Sequence, residues 1–238
     1  MRSGIEAMRT SAQVGTQLTA LADGLGSTSA PAGGGSPQQQ LTALGGYLSE
    51  LATAYPDVAS RPGFASRRAT KTVDGASVTG WFTEDFTLAE LETLRARERL
   101  PRLRGTAFDG RFAIPTLEEV LALVASANSS PERKGRPVGV YPETKHPTYF
   151  EGLGLPLEKP LLEALRRHGL DRADAPVFIQ SFEVGNLRRL ATLTRAPLVQ
   201  LIDAAGRPWD FTHGRFARTY ADMVRPGGLR DIASYARG

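Results

Sequence analysis

The chain has 238 residues, of which 41% are hydrophobic and 23% charged, with a formal net charge of +4. That length and composition fit one large or two small globular domains, and the positive balance comes from arginines spread along the chain, which excludes a basic nucleic-acid-binding arm. No cysteine is present, so disulfides and thiolate metal sites are excluded, and no apolar run reaches the ~20 residues that span a bilayer.

The opening "MRSGIEAMRTSAQVG" carries an arginine but no apolar stretch behind it, so no secretory signal is expected. Residues 22–40, "ADGLGSTSAPAGGGSPQQQ", have the composition of a flexible linker. The flanking stretches "TQLTALADGL" and "LTALGGYLSELATAY" have helical spacing; in the second, Leu41, Leu44, Leu48 and Leu51 share one face. Residues 1–56 are therefore expected to be a disordered or weakly helical segment, and residues 57–238 a folded domain.

"SRRATKTVDGASVTGWF" places two β-prone pieces around Asp74-Gly75, a hairpin signal. "TEDFTLAELETLRARERL" reads as a helix capped by Thr87 with Glu90 three residues on, and "GRFAIPTLEEVLALVASAN" repeats the pattern with Thr116 and Glu119. Then strands and helices alternate. "PVGVYPETK", "APVFIQSF" and "APLVQLID" are strand-like, and "PLEKPLLEALRRHGL", "EVGNLRRLATLT" and "GGLRDIASYARG" are helical. Such alternation predicts βαβ units and a parallel sheet, in either a barrel or an open form.

Period-two alternation puts Tyr141, Glu143 and Lys145 on one side of their strand, and Phe178, Gln180 and Phe182 on one side of the next, with Ile179 and Ser181 opposite. The carboxyl ends of parallel strands are where α/β proteins build sites. A carboxylate such as Glu143 suits a hard cation, and an ammonium such as Lys145 suits a phosphate oxygen. The inert alternative is a solvated ion pair between the two. His146 is an acid–base candidate in a loop. His168 lies at a helix C-terminus, where it complements the dipole, and His213 is a loop residue. No histidine pair has metal-ligand spacing, and neither glycine-rich phosphate-loop pattern occurs.

"VGVYPETKHPTYF", "VFIQSFEVGNLRRL" and "PLVQLID" resemble the core of glycerophosphodiester phosphodiesterases of the bacterial periplasmic type. Residues 57–101 resemble the insertion these enzymes carry, and "FDGRFAIPTLEEVLALV" resembles the helix leading to the glutamate strand. The resemblance spans residues 57–238. It implies an α/β fold, here a partial TIM (β/α)8 barrel, and hydrolysis of a small-molecule glycerophosphodiester to an alcohol and glycerol 3-phosphate. It also implies a divalent metal, calcium or magnesium. Glu143 resembles a metal ligand and Lys145 a phosphate-contacting lysine, while Gln180 and Phe182 fall on the strand that lines the substrate pocket. Members with this insertion are often exported.

The chain departs from the family at its start. The family's His-Arg-Gly motif, its Glu-x-Asp pair and its second histidine have no counterpart, and no histidine precedes His146. No catalytic histidine is therefore assigned, and the chain stops before the last expected barrel strands. One expectation is an active phosphodiesterase whose start is misread over residues 1–56. The alternative is an inactive truncated fragment, at most an anion-binding module. A third reading gives the acid–base role to His146 or His213, with a carboxylate from the first segment such as Glu50.

Overall fold

A computed structural model describes residues 57–98, 100–131, 134–211 and 218–237. The expected linker and helices of residues 1–56, with Glu50, and the loop residue His213 lie outside the described residues.

Strands β1 (Ala69–Val73) and β2 (Ala76–Gly80) pair antiparallel, from Ala69↔Gly80 to Val73↔Ala76. Asp74 and Gly75 join them with φ of 49° and 75°. A two-residue turn of this kind needs both residues left-handed, which aspartate tolerates and glycine favours. The expected hairpin is present. Helix α1 (Leu88–Glu92) starts at the expected capping box of Thr87 and Glu90.

That helix does not run on to residue 100 as its sequence suggests. Asp57 captures the chain first. Its amide donates to the Arg95 carbonyl at 3.0 Å, and its carboxylate accepts from the Arg95 amide at 2.9 Å. The Ala96 amide then donates to Phe112 at 2.8 Å, within an antiparallel bridge of Arg95 to Ala113. Tertiary pairing thus overrides local helix propensity. A short helix α2 (Pro101–Arg104) begins on proline, whose missing N–H costs nothing there. Val58, Phe86, Leu91, Leu94 and Ile114 form a small core for this region.

Helix α3 (Leu117–Asn128) carries the second expected capping box, Thr116 with Glu119. The chain then enters a parallel ladder. Val140 N donates to Pro176 O at 2.9 Å, Phe178 N to Val140 O at 3.0 Å, Gln180 N to Pro142 O at 2.9 Å, and Thr144 N to Gln180 O at 2.9 Å. Gly139 is needed here, because a Cβ would lie 2.8 Å from the Pro176 carbonyl oxygen. β3 (Ile179–Ser181) pairs in parallel with β4 (Leu198–Gln200), and Leu198 N donates to Arg237 O at 2.8 Å. The spatial order therefore follows the chain order. Helices α4 (Pro147–Gly152) and α5 (Glu158–Arg167) precede β3, α6 (Val184–Leu193) precedes β4, and α7 (Tyr220–Met223) and α8 (Pro226–Ala233) follow it. These are consecutive βα units. The fold is mixed α/β with small sheets, and the described residues form no closed barrel.

Alternation sorts the strand side chains as expected. Val177, Ile179 and Leu198 pack against Leu161 and Leu165 of α5 and Leu187 and Leu190 of α6. Tyr141 and Phe178 face the other way, exposed, with rings 6.2 Å apart edge to face. His168 follows α5 as expected, yet its Nε2 lies 2.7 Å from Glu118 of α3, so it also ties two helices together. Among the described residues no helix is long and apolar enough to cross a membrane.

Leu187 is fully buried between sheet and helices, so Leu187→Ala should cost ~2–5 kcal/mol in urea unfolding, transfer and cavity terms together. A loss below ~1 kcal/mol would place the core elsewhere.

Candidate active site at the strand ends

Glu143 and Lys145 flank Thr144, which is buried. Three neighbours hold Thr144. Its amide donates to Gln180 O at 2.9 Å, and its carbonyl accepts from the Ser181 hydroxyl at 3.0 Å. Its own hydroxyl donates to Asn186 Oδ1 at 2.6 Å, and Asn186 Nδ2 donates to Glu158 Oε1 at 2.9 Å. Glu158 is in turn 3.2 Å from Arg189. Buried polar groups in low dielectric are costly alone and strong when satisfied, so this chain of bonds fixes the strand end. With Thr144 facing inward, alternation sends Glu143 and Lys145 to the opposite side, both half-buried.

Glu143 forms a parallel bridge with Gln180, so the structure brings these two expected site residues into direct register. Gln180 is half-buried and its amide donates to Tyr141 O at 3.2 Å. Phe182 is partly buried against the main core, its ring 6.2 Å from Tyr220. Lys145 leads directly into His146, the left-handed N-cap of α4, with φ 51° and ψ 45°.

Further acidic groups gather at these strand ends. Glu183, the N-cap of α6, is buried and accepts from the Thr148 amide at 3.3 Å and from the Thr148 hydroxyl. Burial pushes its carboxyl up to about 7, against the pull of Thr148, and the charges of Asp210 and Asp74 push the same way. Asp210 is also raised, chiefly by burial, although Gly185 N donates to it at 2.5 Å. Asp74 Oδ2 lies 2.5 Å from His146 Nδ1. Oδ1 of Asp74 and Oδ1 of Asp210 are buried and accept no hydrogen bond among the described residues.

Sequence reasoning missed Thr144, Asn186, Glu158 and Asp74. Two of these carried a signal. Asn186 sits four residues before Leu190, and Glu158 three, four and seven before Leu161, Leu162 and Leu165. A polar residue on the apolar stripe of a helix must find a buried partner. Asp74 carried none, because nothing local tells a hairpin turn what it will touch.

Among the described residues no three histidine, aspartate or glutamate side chains converge to hold an ion. Calcium needs roughly six to eight oxygens, so the described residues do not by themselves fit a divalent cation.

Residues 64–229 match the glycerophosphoryl diester phosphodiesterase family. The chain belongs to that family. It is 34% identical over 194 residues to a glycerophosphodiester phosphodiesterase of Arabidopsis thaliana, covering 76% of this chain and 49% of that protein. It is 26% identical over 180 residues to one from Haemophilus influenzae, covering 66% and 48%, and 25% identical over 178 residues to one from Treponema pallidum, covering 66% and 49%. The chain thus spans about half the length of these curated relatives. Members of the family depend on a metal, and Glu143, Lys145, Gln180 and Phe182 all lie inside the matched region.

Thr144→Val keeps the volume but strips Asn186 Oδ1 of its donor, and should cost ~1–3 kcal/mol in urea unfolding. Glu183 binds its proton more tightly folded than unfolded between pH 4.5 and about 7, so its contribution to stability is full below pH 4.5 and is lost as pH rises toward 7. Glu183→Gln should flatten that part of the curve; an unchanged slope would relocate the titrating group.

Proposed function

We propose that this chain hydrolyses glycerophosphodiesters, adding water across one phosphoester bond to release an alcohol and glycerol 3-phosphate. The observation that carries the reading is the strand end itself. Glu143 and Gln180 are cross-strand partners at the carboxyl ends of parallel strands, with Lys145 two residues further along the chain, inside a stretch that matches the family. The parallel patch is read as an arc of a (β/α)8 barrel, whose catalytic residues stand at that end of the strands.

Lys145 is assigned the phosphate. A compact ammonium fixed at a strand end supplies charge to a phosphoryl oxygen without reorganising during the reaction. Gln180 and Phe182 are assigned to the substrate pocket, Gln180 through its polar amide and Phe182 through its ring edge. Glu143 is assigned as one ligand of a divalent cation, calcium or magnesium, which would neutralise phosphoryl charge when bound. The described residues do not complete that ligand set.

The test is release of glycerol 3-phosphate from glycerophosphocholine by the purified chain, with calcium and magnesium titrated separately. Release is expected in at least one series. Glu143→Gln should abolish it, and Lys145→Ala should raise KM by ~10-fold or more, the loss of one charge-assisted contact. No release at any metal concentration would refute the function, and activity surviving Glu143→Gln would refute the site.

A further inference from the structure

Among the described residues, two that are not glycine have left-handed backbones, Asp74 and His146. They lie 72 positions apart and are bonded to each other, Oδ2 to Nδ1 at 2.5 Å. One is the first residue of the hairpin turn and the other the N-cap of α4. A left-handed non-glycine backbone persists where its surroundings over-determine it, and such residues gather at functional sites.

The surroundings are specific. Gly75, the second turn residue, sits on Trp209, where a Cβ would come within 2.7 Å of two ring carbons. The short 3-10 turn after the hairpin, Thr83–Asp85, gives a second tether. The Tyr149 hydroxyl donates to Glu84, which also binds Lys71 of β1 at 3.0 Å. His146 and Tyr149 are three residues apart, on one side of α4. Thr148, facing elsewhere, is bound by Glu183. The first turn of α4 is therefore gripped from both sides, and Lys145 is the residue immediately before it.

We propose that Asp74 is a positioning residue: bonded to His146, it fixes the bend between the strand end and α4 and thereby aims Lys145 at the substrate phosphate. The inference rests on the assignment of Lys145 made above. It gives the hairpin region a part in phosphate binding from outside the parallel ladder. Neither Asp74 nor His146 needs to touch the substrate. An ionised carboxylate only accepts, so the imidazole is the donor in this bond, through Nδ1.

The competing account is that the pair only stabilises the fold. A double-mutant cycle on ligand affinity separates the two. Asp74→Ala, His146→Ala and the double variant are compared for the dissociation constant of glycerol 3-phosphate, for KM and kcat, and for melting temperature. Each single variant and the double should weaken glycerol 3-phosphate by the same factor, ~10-fold, with KM rising in parallel and kcat within about 2-fold. His146→Asn tolerates the left-handed backbone and keeps a donor, so it should restore most of the affinity. Unchanged affinity and KM with only a lower melting temperature would overturn the proposal, as would single effects that add in the double.

Should the alanine variants fail to fold, Asp74→Gly and His146→Gly keep the left-handed turn geometry without the bond and carry the same comparison. A wild-type chain that binds no glycerol 3-phosphate would instead overturn the hydrolase reading. The pair is then judged on the imidazole nitrogen resonances of His146, one of 3 histidines in the chain. A proton fixed on Nδ1 in the wild type and released in Asp74→Ala upholds the bond, and resonances indifferent to that substitution overturn it.

Discussion

Everything at the strand ends depends on where Thr144 is held. It stands between the two charged residues of the site, and a strand offers only two directions for a side chain. Because Asn186, Ser181 and Gln180 bind Thr144 inward, its neighbours Glu143 and Lys145 have to face the other way. A one-residue slip would bury both charges and expose the threonine. Desolvating an unpaired charge costs far more than any single hydrogen bond returns. The network therefore selects the register as well as stabilising it.

The same network joins elements that the chain connects only at a distance. Glu158 belongs to α5, Asn186 to α6 and Thr144 to the first strand of the ladder. Beneath them Leu161, Leu165, Leu187 and Leu190 supply the apolar contact that holds helices to sheet. Polar bonds set direction, and burial supplies the driving force. Glu183 extends the arrangement to α4 through Thr148, with its carboxyl pushed up to about 7 by burial beside Asp210 and Asp74. An acid so placed responds to any charge that arrives near it.

Much of this was legible in the sequence, and the illegible part has a physical cause. The hairpin at Asp74-Gly75, both capping boxes, the βα alternation and the split between Phe178 and Ile179 are local or periodic, and local rules carried them. The helix expected through residue 100 failed because Asp57, 38 positions before Arg95, offered the backbone a better partner. Glu143 and Gln180 were assigned to one site through the family resemblance, strand-end position alone leaving an inert ion pair open, and the structure makes the two neighbours across the ladder. Asp74 is different. Its partner is 72 positions away, and a turn residue that suits its own turn gives no sign of a second task. Asn186 and Glu158 were visible as polar residues on apolar stripes, but their common partner, Thr144, was not.

The most direct test of this account is amide hydrogen exchange at Thr144, read against Ile179 in the core strand. Opening free energies run from near zero in fraying loops to the global value in the core. If the buried network holds the strand end, the Thr144 amide exchanges only through global unfolding, with the same free energy as Ile179. If it exchanges through fast local opening, as a loop would, the strand end is not fixed, and nothing in the fold then dictates where Glu143 and Lys145 point.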